Sequence, residues 1–181
     1  MLAVHDIIFE ISKYLTDKEK ILLSMTLRTL DKLKYKFIYY EKIDANRIMH
    51  LSYFDNFECV EISNPRECVP KNAKYIYFET NATDIPYGVT HLTFGDSFDE
   101  PIDSIIPLSV THLSFGSSFD QSIKNNIPSS VTCLTFKDYF NKYMRIDVPR
   151  TVINLTIKND IMIRRVQFFK VKYRPFINIG C

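Results

Sequence analysis

Val89-Thr90-His91-Leu92-Thr93-Phe94 returns as Val110-Thr111-His112-Leu113-Ser114-Phe115 and again as Val131-Thr132-Cys133-Leu134-Thr135-Phe136, each copy 21 residues after the last. Upstream of each copy stands a proline, and Pro86, Pro107, Pro128 and Pro149 keep the same interval. The fourth copy carries Val152, Leu155 and Ile157 at the corresponding places. Downstream, Phe98, Phe119, Phe140 and Ile161 form a second row, and Ile102, Ile123 and Met144 a closing one. Several rows in one register mark a tandem array over residues 86–157.

Within each copy the pattern is apolar-x-x-Leu-x-Phe, and its alternation puts Leu92 and Phe94 on one face of a strand. Proline has no N–H and a fixed φ, so it suits the approach to a strand and not its ladder interior. A single unit has too little apolar surface to offset the entropy of ordering 21 residues. The units must therefore stack, with parallel strands about 4.8 Å apart and each apolar face covered by its neighbours. A degenerate unit is expected at Pro70, where Ala73, Ile76 and Phe78 stand at the offsets of Val89, Leu92 and Phe94 from Pro86. Val60 and Ile62 are read as an earlier strand, and the alternation over residues 161–173 as the segment closing the far end.

Ile85-Pro86, Ile127-Pro128, Phe98-Asp99-Glu100-Pro101-Ile102 and Phe119-Asp120-Gln121-Ser122-Ile123 resemble the FNIP repeat. The resemblance covers about half of the chain's 181 residues. It implies a leucine-rich-repeat-like interaction module, of a kind known mainly from social amoebae and large DNA viruses that infect amoebae. The fourth copy departs from the family pattern, with Val148-Pro149 and Ile161 in place of Ile-Pro and Phe.

The first forty residues read as three short helical segments. Ile7, Ile8, Ile11 and Leu15 fall at helical spacing. Thr16-Asp17-Lys18-Glu19 is a capping box that starts a second helix carrying Ile21, Leu22 and Met25, and Leu30, Leu33 and Phe37 continue a third. Ile7-Ile8-Phe9-Glu10-Ile11-Ser12-Lys13-Tyr14-Leu15 resembles the first helix of the F-box, with Leu23, Met25, Arg28 and Leu30 continuing its register. Ala3-Val4 replaces its Leu-Pro pair and Lys20 replaces an aliphatic.

Taken with the array, the resemblance implies an α+β chain: an F-box-like helical module over 1–45, a linker with degenerate first repeats over 46–85, a FNIP solenoid over 86–160 and a C-terminal cap over 161–181. It implies a non-catalytic substrate receptor of a Skp1-cullin-F-box type ubiquitin ligase. Ile8, Ile11, Leu15 and Leu22 would meet the Skp1-type adaptor, and the array would capture a target protein. The other reading is a plain interaction scaffold whose helices only cap the solenoid.

The strand face opposite the core carries His91, Thr93, His112, Ser114, Cys133, Thr135 and Thr156, and target capture is assigned to it, with the turn edge at Asp99 and Glu100 as the competing place. Unperturbed histidines there would make affinity change between about pH 5.5 and 7.5. His91, His112 and Cys133 invite a zinc reading, but a ladder is not a tetrahedron and no metal is expected. The acids Asp96, Asp99, Glu100 and Asp103 lack calcium-loop spacing and read as solvated turn acids.

No phosphate loop, nucleophile elbow or H-E-x-x-H motif occurs, so neither an enzyme nor a cofactor is expected. The net charge of +2 hides an uneven distribution, from −6 over residues 84–123 to +5 over residues 158–181. Basic and aromatic residues mix at Arg164-Arg165-Val166-Gln167-Phe168-Phe169-Lys170, which cap-strand alternation explains without nucleic acid. With no basic n-region, no long apolar run and four scattered cysteines, a soluble cytoplasmic protein without a membrane partner is expected.

Overall fold

The computed structural model describes residues 4–137, 148–157 and 176–178. Phe140, Met144, Ile161 and the basic-aromatic tail over 164–170 lie outside the described residues. The chain divides into two compact units, Met1–Ile62 with Glu67–Ile76, and Ser63–Arg66 with Tyr77–Cys181.

The first unit begins with α1 (Val4–Ser12) and α2 (Asp17–Thr26). The capping box between them forms as the sequence predicts: the Glu19 amide donates to Thr16 Oγ1 at 3.3 Å and the Thr16 amide to Glu19 Oε2 at 2.8 Å. The Thr16 amide, with the Thr16 hydroxyl donating to the same oxygen at 2.8 Å, holds the Glu19 carboxyl below the ordinary range. A 3-10 turn (Asp31–Tyr35), the short β1 (Ile43–Asp44) and α3 (Ala45–Ile48) follow, then a second 3-10 turn (Phe54–Asn56) and β2 (Cys59–Ile62), which pairs in parallel with β1. Leu33, Phe37, Tyr39, Ile48, Phe57 and Val60 make its core, with the Tyr39 ring stacked on Phe57 at 4.5 Å. Val60 and Ile62 thus supply the early strand that their alternation suggested.

The second unit is a run of parallel strands in chain order. β3 (Tyr75–Thr80) enters it at Tyr77, and β4 (His91–Phe94), β5 (His112–Phe115), β6 (Cys133–Phe136), β7 (Asn154–Ile157) and β8 (Phe176–Asn178) follow. Leu92, Leu113, Leu134 and Leu155 are direct register partners and all four are buried. Phe94, Phe115 and Phe136 stack at 5.5 and 5.3 Å, and each of the first two also stacks on the phenylalanine four residues later, at 4.0 and 4.1 Å. The valine row is buried beside them.

Pro107, Pro128 and Pro149 each open a tight turn into the following strand. The amides of Val110, Val131 and Val152 donate at 3.1 Å to the carbonyls of Pro107, Pro128 and Pro149, and Ala73 does the same to Pro70. The turn at Pro70 therefore matches the array, but the strand after it does not keep the expected register. Phe78 pairs with Leu92 and Thr80 with Phe94, so the expected partners Ile76 and Phe78 are displaced by two residues. A slip of two preserves the buried face, because strand side chains alternate with period 2. Ile76 and Phe78 remain buried, and alternation alone could not expose the slip.

Glycine recurs after the first two core phenylalanines. A Cβ on Gly116 would meet the Gly95 carbonyl oxygen at 2.3 Å and Asp96 Cα at 2.6 Å, both backbone atoms, whereas one on Gly95 would meet the movable Asn81 side chain. A side chain at Gly116 would therefore require the backbone to shift, and the third copy has Lys137 at the corresponding place. β8 pairs in parallel with β7, and the alternating segment over residues 161–173 lies outside the described residues.

Candidate functional site

In the helices the usual amphipathic order is inverted. The buried residues of α1 and α2 are Ser12, Asp17, Lys20 and Ser24, all polar. Val4, Ile7, Ile11 and Tyr14 stand outside at spacings of three and four, joined on α2 by Leu22 and Met25 and beyond it by Leu27. Of the four residues assigned to adaptor docking, Ile11 and Leu22 are each 52% exposed, while Ile8 and Leu15 are half-buried. Met25 was read as part of the second helix but not as exposed, and Val4, Tyr14 and Leu27 were not singled out. Leu22 also borders a pocket of about 380 Å³ whose apolar lining includes Ile21, Ile43, Ile48, Leu51 and Phe57.

The polar inner side is fully used. Lys20 is 2% exposed, and its Nζ donates to Asp17 Oδ1 at 2.9 Å and to the Ile38 carbonyl at 2.7 Å, lying 4.6 Å from the Tyr40 ring centroid. Asp17 Oδ2 accepts from the Glu41 amide at 2.7 Å, and Glu41 Oε1 accepts from the Asp17 amide at 3.2 Å. The chain's departure from the F-box pattern at Lys20 is thus a buried charge with partners on every side.

In the array, the seven residues assigned to target capture lie on the face opposite the leucine column, one or two per strand. Tyr77, His91 and His112 stack there with ring centroids 4.2 and 4.1 Å apart, the two imidazoles within 13° of parallel. Cys133 and Asn154 continue the row, with Asn154 Nδ2 donating to Cys133 Sγ at 3.5 Å. Thr93, Ser114, Thr135 and Thr156 make the second, half-buried row. Among the described residues no group of three or more His, Cys, Asp or Glu side chains could hold a metal ion.

The threonine before each strand fixes the imidazoles. Thr111 Oγ1 donates its one hydrogen to the Thr90 carbonyl at 3.2 Å. The same hydroxyl lies 2.9 Å from His112 Nδ1 and so ties the ring to the strand. His91 makes the same 2.9 Å contact with Thr90.

Burial lowers the pKa of both histidines, and for His91 the neighbouring His112 adds to the effect, bringing it to about 4. The ordinary titration window assumed from sequence is therefore displaced downward. The main reason is burial in the stack, to which repulsion by His112 adds for His91, and the sequence does not show the stacking. Folded His91 holds its proton less tightly than an unfolded histidine near 6.5. The unfolded chain thus binds more protons between those values, and stability should fall as pH drops from about 6.5 to about 4. The melting temperature of wild type should fall relative to that of His91→Gln as pH drops across that range. Parallel curves would show that His91 carries no such linkage.

The turn acids are not merely solvated. Ser117 donates its amide to Asp96 Oδ1 at 3.3 Å, Asp120 its amide to Asp99 Oδ1 at 2.8 Å, and Asn126 its Nδ2 to Asp103 Oδ1 at 2.7 Å. Each carboxylate reaches the following repeat, so this edge ties neighbours together while remaining exposed. No helix among the described residues is long and apolar enough to cross a membrane.

No curated protein matches the sequence. Among solved structures, the crystal structure of CroV588, described as a novel circular LRR protein structure, is similar at 28% identity with a TM-score of 0.42. The similarity covers 58% of this chain and 18% of that one, so this chain spans under a fifth of that protein's length. The FNIP Repeat model matches residues 79–118 and 119–160, each match taking in two of the 21-residue units. The chain thus carries FNIP repeats over residues 79–160, stacked with one parallel strand per unit.

Proposed function

We propose that this chain is a non-catalytic cytoplasmic adaptor, in which the FNIP array captures a protein and the N-terminal helices dock a Skp1-type adaptor of a cullin-based ubiquitin ligase. The observation that carries the reading is the inverted amphipathy of α1 and α2. Helices that bury Ser12, Asp17, Lys20 and Ser24 while exposing Ile7, Ile11, Leu22 and Met25 have their apolar side turned toward a partner. Such a receptor works by raising the effective concentration of its target near a ubiquitin-charged enzyme.

A pull-down with purified Skp1-type adaptor tests this. Wild type should retain the adaptor, and Ile11→Asp with Leu22→Asp, both at exposed positions, should lose it with the fold intact. Equal retention by both proteins would remove the ligase role and leave a plain interaction scaffold.

A further inference from the structure

We propose that the outward face of β3, β4 and β5 receives an extended, cationic segment of a partner protein, one bearing arginine or lysine side chains. The inference rests on the array being the capturing surface and specifies the chemistry that surface selects.

Three observations meet on this face. The Tyr77, His91 and His112 rings form a continuous stack, so a segment laid across the strands meets a row of ring edges and not separate side chains. Desolvation lowers the pKa of both histidines, so the ring row is uncharged at neutral pH. An uncharged row offers no positive charge to a carboxylate or phosphate. Finally, residues 77–123 contain seven acids and no lysine or arginine. Glu79 stands on the face itself, at the register position beside Thr93. Asp96, Asp99 and Asp103 are held by the next repeat, so their charge is fixed in place. Glu79 beside the uncharged ring row, in a stretch without a cation, complements a positively charged segment, and arginine adds stacking to hydrogen bonding.

The test uses the full chain with two labelled octapeptides, one of alternating arginine and serine and one of alternating glutamate and serine, at physiological ionic strength. The arginine peptide should bind and the glutamate peptide should not. His112→Lys adds one positive charge on the face and should weaken binding about tenfold or more. Glu100→Gln makes the same change of charge on the turn edge and should leave affinity within about twofold. Equal losses in the two variants would mean a diffuse field without a site and would overturn the proposal, as would unchanged binding by His112→Lys. If the glutamate peptide binds and His112→Lys changes its affinity, the array remains a capturing surface and the cationic assignment fails. Binding of neither peptide also overturns it, while the adaptor pull-down still decides the docking of the helices.

Discussion

Lys20→Met should destabilise the first unit by about 3–5 kcal/mol, the range expected when one member of a buried ion pair is removed. The substitution keeps most of the side chain's volume, so packing loss is small and the effect reports the polar network. Without the ammonium group, Asp17 Oδ1 and the Ile38 carbonyl both lose their donor in a place where Lys20 is 2% exposed. Asp17 Oδ2 keeps the Glu41 amide, which leaves a carboxylate half satisfied and still charged. Replacing both partners, Lys20→Met with Asp17→Leu, should recover part of the loss, because a matched apolar pair no longer strands a charge. Urea denaturation followed by far-UV circular dichroism, with amide exchange over residues 17–26, measures both. A loss below about 1 kcal/mol in the single variant would class the pair with solvent-screened surface bridges.

The same residue shows where sequence reading stops. The capping box, the helix starts and the apolar spacing of α1 were all legible, because capping and periodicity are local. Which side of a helix faces inward is not local. Ile7 and Ile11 lie on a stripe that would suit a core, and nothing nearby in sequence says that Ser12, Lys20 and Ser24 take the interior instead. In the array, the fixed period carries long-range information, so the leucine column and its outward partners could be read directly. Where the period breaks, before Pro86, the register slipped by two residues and Phe78 took the place expected of Ile76. The histidine row was found, but its stacking depends on the distance between strands. The turn acids were assigned to solvent for a similar reason, since the amide that binds Asp99 belongs to Asp120 in the next unit.

Leu113→Ala should cost about 2–5 kcal/mol, the range for truncating a buried leucine in a packed interior. Leu113 is buried, and its register partners Leu92 and Leu134 are leucines at the same depth. The stacked rows of Phe94 with Phe115 and Phe98 with Phe119 restrict how far the neighbouring strands can close over the void. Because each repeat is stabilised through its interfaces, a cavity at Leu113 weakens two of them at once. Amide exchange should therefore quicken in β4 and β6 as well as in β5. Leu108→Ala, at a leucine 75% exposed in the same repeat, should stay within about 0.5 kcal/mol of wild type and serves as the control. Two results would refute the stacked-core account: a cost for Leu113→Ala no larger than that of Leu108→Ala, or faster exchange confined to β5. The first would mean that the column does not carry the packing, and the second that the repeats do not depend on their neighbours.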